Sequence, residues 1–266
     1  MDLGLKGKIA VVTGAAGGIG ASIARGLCSE GCITIFVDID KKRLEKSVEG
    51  HEENGVPIVC DLTSIEEVSS LFKKIDINYK KLHILVNCAA VSIAGYIEDI
   101  TEQDIEKILN INVKGYIYTT IYAVPIMKKT GYGRLIYINS TSGLKASSGL
   151  SLYSGSKYFN RGFAISAALE LGKYGITSNS ICPSDVYPDG DIEAKSWRES
   201  SLLRITMEKE NVKSLEEIIE KRTAKNPMRK TCKPEDVRDL TLFLASERAG
   251  FINGQSIGVN GGIVPY

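Results

Sequence analysis

The stretch KIAVVTGAAGGIGASIARGLCSEGCITIFVD, Lys8 to Asp38, constrains the fold of this chain more than any other. An apolar run of strand length ends in a cluster of glycines. A segment with Ile19, Ile23 and Leu27 at helical spacing follows, Gly31 closes it, and a second apolar run ends at Asp38. Such a strand, helix, strand unit is what two parallel strands require, because a tight hairpin cannot join them. The runs are apolar throughout and do not alternate with polar residues, so both faces of the sheet must be covered. Five more runs repeat the pattern: VPIVCD, HILVNCAA, GRLIYINS, ITSNSICP and GQSIGVNGG. Helical spacing returns between them, in SIEEVSSLFKKI and in EQDIEKILNINVKGYIYTTIYAVPIMKK, which reads as one long helix. The expectation is an α/β fold, a doubly wound parallel sheet of the Rossmann type. A length of 266 residues with 43% hydrophobic content suits one such domain over 1–266.

One segment breaks the rhythm. Asp189 to Asn226 is polar, carries seventeen charged side chains and delays the last strand. Within it SLEEIIEKRT offers Ser214 and Glu217 as a capping box, so a helix is expected. The segment at about 189–226 reads either as a helical cover over a binding site or as a solvated surface excursion.

Charge excludes some partners. With Lys+Arg 33 against Asp+Glu 32, no long-range field favours nucleic acid or an anionic membrane. No apolar run approaches membrane-spanning length, and the opening residues lack the pattern of a signal peptide, so a cytoplasmic location is expected. The six cysteines form no Cys-x-x-Cys pair and sit mostly in apolar runs, which predicts reduced core thiols. Only His51 and His83 are available, which disfavours a histidine-rich metal site or a histidine-dependent triad.

Two clusters point to chemistry. In TGAAGGIG, Gly14, Gly18 and Gly20 lead from a strand directly into a helix, so the backbone can turn tightly and bring unpaired N–H groups and a positive dipole end to a phosphate. Asp38, at the next strand's tip, stands where a carboxylate accepts hydrogen bonds from ribose hydroxyls and repels a 2'-phosphate, which favours NAD over NADP. The basic run Lys41, Lys42 and Arg43 is the opposing signal. The second cluster is Tyr153 with Lys157. Among twelve tyrosines only Tyr153 has a lysine four positions on, and that spacing puts both on one helical face. A tyrosine of ordinary pKa, about 10, is a poor base at neutral pH, and a neighbouring ammonium favours its phenolate.

On these residues the chain resembles the classical short-chain dehydrogenase/reductase family over essentially its whole length. TGAAGGIG matches the family's Thr-Gly-x-x-x-Gly-x-Gly loop, Asp61 with Leu62 matches its adenine-side acidic position, and NCAA stands for its Asn-Asn-Ala-Gly, keeping Asn87. Asn112 in NINVKG matches the active-site Asn, and Ser140 lies thirteen positions before Tyr153, as the family's serine does. The resemblance implies a catalytic set of Asn112, Ser140, Tyr153 and Lys157. Tyr153 would exchange a proton with the alcohol or carbonyl oxygen, Ser140 would hold that oxygen, Lys157 would serve Tyr153 and the nicotinamide ribose, and Asn112 would anchor a proton-relaying water. It also implies NAD contacts at Gly14, Gly18, Ile19, Gly20, Asp38, Asp61, Leu62, Asn87, Tyr153, Lys157, Pro183 and Val186, no metal, and a homo-oligomer, a dimer or tetramer built through the helices bearing Asn112 and Tyr153.

Departures from the pattern are local. Cys88 and Ala90 replace an Asn and a Gly, Ser184 replaces the Gly after Pro183, and Pro188 stands where a Thr would touch the cofactor, so that contact is lost or supplied elsewhere. INSTSG, KYGIT and GQSIGVNGG make the chain look most like the sugar-alcohol members, the sorbitol-6-phosphate dehydrogenases in particular. The expected partner is a small-molecule alcohol or ketone, a polyol or polyol phosphate. Lys195, Arg198 and Arg204 are candidates for a phosphate, Glu199 for a hydroxyl and Trp197 for a sugar face. The alternatives are a hydroxysteroid or 3-hydroxyacyl substrate, and a dinucleotide-sensing protein without catalysis.

Overall fold

The structure is a computed structural model that describes residues 2–187 and 201–265. All seven expected runs are strands: β1 (Ile9–Thr13), β2 (Ile33–Asp38), β3 (Gly55–Val59), β4 (Ile84–Asn87), β5 (Gly133–Ile138), β6 (Ile176–Pro183) and β7 (Ser256–Val259). They form one parallel sheet in the order β3-β2-β1-β4-β5-β6-β7. The chain winds outward from β1 to β3, returns to place β4 beside β1, and winds the other way. Loops that follow β1 and β4 therefore diverge, which opens a crevice at the carboxyl ends of the strands.

Layers of helices bury the two faces, which is why the strand sequences are continuously apolar. Val12, Phe36 and Ile136 pack under α1 (Gly18–Ser29) and α9 (Pro234–Ala245) through Ile23, Leu27 and Leu244. On the other face Val11, Ile35, Leu85 and Leu135 meet Phe72 of α3 (Ile65–Tyr79) and Tyr116 of α5 (Gly115–Lys128). Each such side chain, fully buried, contributes about 1.5–3 kcal/mol. The short α2 (Lys41–Val48) follows β2, capped by the Asp40 carboxylate on the Arg43 N–H. No helix of the described residues is long and apolar enough to cross a membrane.

The expected long helix is not continuous. α4 (Glu102–Ile108), with a Thr101 and Asp104 capping box, gives way to a π-helical turn, Leu109–Lys114, before α5 begins. A π turn inserts one extra residue per turn and is frequent at functional sites. Here it carries Asn112, which is fully buried against α6 (Ser151–Leu171).

After β6 the described chain resumes in α7 (Ser201–Glu210) and α8 (Leu215–Lys225), joined by a small core of Leu203, Leu215 and Ile218. Ser214 caps α8 as expected, accepting from the Glu217 N–H, but the Glu217 carboxylate takes the Lys213 N–H and not that of Ser214. The pair α7 and α8 sits over the crevice: Ser201 Oγ accepts from the Ala94 N–H at 3.0 Å and Lys209 Nζ donates to the Ser148 carbonyl at 2.7 Å. Both anchors belong to loops at the carboxyl ends of β4 and β5.

Candidate active site

The glycine loop is shaped by close approach. Gly14 has φ +67°, and a Cβ there would lie 2.8 Å from the Ala89 backbone. A Cβ on Gly20 would run into the Gly14 carbonyl oxygen. Thr13 fastens the same junction, its Oγ1 accepting from the N–H groups of Cys88 (3.0 Å) and Ala89 (3.2 Å). The loop thus lies flat on the end of β4, and α1 starts from it at Gly18 with Ile19 in the cavity wall. Twelve residues of aligned peptide dipoles stand behind that N-terminus.

Asp38, at the tip of β2, accepts from the Ala16 N–H (3.1 Å) and the Asp40 N–H (3.1 Å), so its carboxylate is held beside the glycine loop. Asp61 caps its own turn, accepting from the Thr63 N–H and hydroxyl at 2.9 and 2.8 Å. Leu62 and Asn87 turn away from the crevice. Leu62 is core, packed where a Gly115 Cβ would be. The Asn87 amide is 1% exposed, accepting from Thr119 Oγ1 at 2.7 Å and donating to Thr120 Oγ1 at 3.3 Å. A cofactor could meet these two residues through their backbone only. Pro183 and Val186 line the cavity.

Tyr153, Lys157 and Ser140 come together as the spacing requires. The Lys157 ammonium is 5.6 Å from the centre of the Tyr153 ring, and Ser140 lines the same cavity as Tyr153, its hydroxyl accepting from the Ser142 N–H at 3.0 Å. Lys157, 2% exposed, donates to the Ile138 carbonyl at 3.0 Å. The expected lowering of the Tyr153 pKa is not found in the chain by itself. Burial dominates and pushes it up to about 12, the nearby Ser140 hydroxyl opposes this, and the charge of Asp185 adds to it. Burial also brings Lys157 down to about 8. Cys88, in place of the resemblance's second Asn, is pushed up to about 12 by burial and stays a neutral thiol beside that lysine.

Asn112 lies in the same assembly, and both N–H donors of its amide are engaged. Oδ1 accepts from the Val91 N–H (2.8 Å), while Nδ2 donates to the Val91 carbonyl (2.9 Å) and Ser156 Oγ (3.2 Å). Its carbonyl accepts from Asn160 Nδ2 at 3.0 Å. Both amide N–H donors are therefore taken, and a water bound to Asn112 would have to donate to the remaining lone pair of Oδ1 or share the main-chain carbonyl. Sequence reasoning missed Asn139, whose Nδ2 donates to the Lys157 carbonyl (3.1 Å) and whose Oδ1 accepts from the Ser140 N–H (3.0 Å). Its position directly before Ser140 was the available signal.

Asn139, Ser140 and Tyr153 line a cavity of about 1070 Å³. Ser92, Ser142, Ser147, Ser148 and Thr206 supply hydroxyls to its wall, and Asp185, Lys209 and Arg222 supply charge. Arg204, expected to hold a phosphate, is not among them. It faces a side recess of about 220 Å³ with Asp99 and Asp104, because α7 turns that face away from Tyr153. Lys195, Trp197, Arg198, Glu199 and Pro188 lie outside the described residues. All six cysteines are free, as expected, and no group of residues able to hold a metal occurs among the described residues.

Residues 8–199 match the short chain dehydrogenase family and residues 200–264 match enoyl-(acyl carrier protein) reductase. The chain is 29% identical, over 98% of its length and 99% of the relative's, to a 3-oxoacyl-(acyl-carrier-protein) reductase of Thermotoga maritima. It is 32% identical to the Rickettsia felis protein of that name, with 98% of each chain covered. Galactitol 2-dehydrogenase of Agrobacterium fabrum is 30% identical over 97% of this chain and 98% of that one. The crystal structure of an actinorhodin polyketide ketoreductase variant with NADPH superposes with a TM-score of 0.88 at 26% identity, covering 98% of each chain.

Proposed function

Since the chain belongs to the short-chain dehydrogenase family, we propose that it interconverts a secondary alcohol of a polyol or polyol phosphate with the matching ketone, using NAD. The hydroxyl-lined wall beside Tyr153 carries the substrate part of this reading. A substrate with many hydroxyls needs a donor or acceptor for each buried one, because an unpaired group costs about 1–3 kcal/mol. Ser92 Oγ is buried in that wall with no partner of its own among the described residues. Asp38, held at the glycine loop, supports NAD: a 2'-phosphate placed there would meet a carboxylate.

The crevice fits a nicotinamide dinucleotide. Gly14 and Gly20 leave bare backbone where side chains would block a pyrophosphate, and Gly18 and Ile19 begin the helix that faces it. In this reading Asp38 holds the adenosine ribose, Asp61 and Leu62 border the adenine, and Asn87, Pro183 and Val186 flank the nicotinamide. When bound, that cofactor supplies or accepts the hydride.

The chain's own residues manage the proton and the charge. A Tyr153 hydroxyl raised to about 12 is protonated at neutral pH, the form that donates a proton to a ketone oxygen. Ser140 lines the same cavity wall, so both hydroxyls can hold the substrate oxygen as charge develops on it. For alcohol oxidation Tyr153 must become the base. Lys157 and the charge of the oxidised nicotinamide then work against burial to favour the phenolate. Asn139 and Asn112 hold α6 and the β4 loop so that this geometry is fixed before substrate arrives.

The test is a panel of galactitol, sorbitol, sorbitol 6-phosphate, a hydroxysteroid and a 3-hydroxyacyl thioester, each with NAD and NADP, followed by the absorbance of reduced nicotinamide. The expectation is fastest oxidation of a polyol with NAD. Faster turnover of the thioester supports a second reading, 3-oxoacyl reduction, which the names of the Thermotoga and Rickettsia relatives favour. NAD binding without turnover of any substrate would leave a sensing protein. The reading includes a cytoplasmic homo-oligomer.

A further inference from the structure

Asp185 stands two residues beyond the end of β6 and lines the cavity together with Tyr153 and Ser140. A carboxylate is an odd neighbour for a site where negative charge develops on the substrate oxygen. Its field reaches the Tyr153 hydroxyl and adds to the effect of burial there. Two features make it tolerable. Arg222, on α8, donates from Nη1 to Asp185 Oδ2 at 2.6 Å and offsets the charge. The Asp185 side chain keeps 42% of its surface open, so it is not closed off by that pair. A carboxylate has about four lone-pair sites, and the arginine takes one of its two oxygens. Arg222 is the partner of Asp185 among the described residues.

We infer that Asp185 is a specificity-determining residue that accepts a hydrogen bond from a hydroxyl on the carbon next to the one that reacts. This rests on the reading that chemistry occurs at Tyr153, and it selects α-hydroxy ketones and vicinal diols within it. A substrate with a methyl in that place would bury the carboxylate oxygen against carbon and leave it without a donor. Asp185 and Arg222 are thirty-seven positions apart and carry no common motif, so only the fold reveals the pair.

Hydroxyacetone and butanone test this directly, since they differ by a hydroxyl against a methyl beside the ketone. With reduced cofactor, wild-type kcat/KM is expected to favour hydroxyacetone, and Asp185→Ala to lower the hydroxyacetone-to-butanone ratio of kcat/KM by roughly tenfold to a hundredfold, hydroxyacetone losing its acceptor while butanone no longer buries a carboxylate. Asp185→Asn, which keeps one acceptor oxygen, should recover part of the loss. Arg222→Met reports a tether role: if Asp185 served only to anchor α8, both variants would lower both ketones alike. That result, or a wild type indifferent to the hydroxyl or inactive on both ketones, overturns the inference. If the preference is present and depends on Asp185 while no polyol is oxidised, the polyol reading fails and this one stands.

Discussion

Replacing Lys157 by Met should make the protein more stable and less active. The ammonium is 2% exposed, and burial brings its pKa from the ordinary 10.5 to about 8. At about 1.4 kcal/mol per unit, the fold carries a charge penalty of about 3 kcal/mol at pH 7. The direction follows from proton counting. Between pH 8 and 10.5 the unfolded chain binds this proton and the folded chain releases it, so stability rises with pH across that window, and below it the penalty is present in full. Methionine removes the penalty and keeps most of the side-chain volume. It also removes the hydrogen bond to the Ile138 carbonyl, worth about 1 kcal/mol. That oxygen keeps a donor, because Tyr116 OH bonds it at 3.0 Å. The balance is a gain of about 2 kcal/mol, which for a chain of this size raises Tm by about 4 °C. Calorimetry of the cofactor-free protein at pH 7 measures the shift, and ketone reduction should fall by at least about a hundredfold in the same preparation. A lowered Tm, or turnover within a factor of about ten of wild type, would refute the argument that Lys157 is held against its burial cost for chemistry.

Tyr153→Phe should lower turnover by about 10²- to 10⁴-fold with cofactor affinity nearly unchanged, and a variant keeping more than about a tenth of the wild-type rate at saturating substrate would remove Tyr153 from the proton step. Asp38→Ser should narrow the NAD to NADP ratio of kcat/KM; a wild type that works better with NADP would turn attention to Lys41 and Lys42 at the start of α2. His83 is neutral, its Nδ1 accepting from the Ile9 N–H at 2.9 Å, and burial, with Lys8 and Lys81 nearby, brings its pKa from 6.5 to about 4. Protonation is therefore easier in the unfolded chain, so the stability present above pH 6.5 falls by up to about 3 kcal/mol as pH drops to 4. Denaturant titrations of wild type and His83→Asn at pH 7 and 4.5 check this, and parallel losses in the two proteins would exclude His83 as the cause.

What was legible in the sequence was local or periodic. Seven continuous apolar runs announced a sheet covered on both faces, and the glycines between Thr13 and Ala21 announced where backbone and helix N-terminus would meet a ligand, because both signals depend on neighbouring residues alone. Tyr153 and Lys157 could be paired from spacing, since one helix turn carries them. Which other elements would close around them was not local. The extra residue of the π turn at Asn112 breaks a helix that its apolar spacing would have continued, and it is stabilised by Val91 and Ser156 from other parts of the chain.

Tertiary structure also decided how each side chain is used. Asn87 and Leu62 stand at strand ends suited to a ligand, yet packing turns both side chains into the core, where Thr119, Thr120 and Gly115 receive them. Arg204 is one helix face away from the cavity that its charge suggested. The pKa of Tyr153 shows the same division most clearly. A lysine four residues on predicts a lowered value, but an enclosed phenol loses its hydration and burial dominates, and the degree of enclosure is a property of the assembled fold. Asp185 and Arg222 meet for the same reason: sheet and covering helices bring together charges that no spacing along the chain connects.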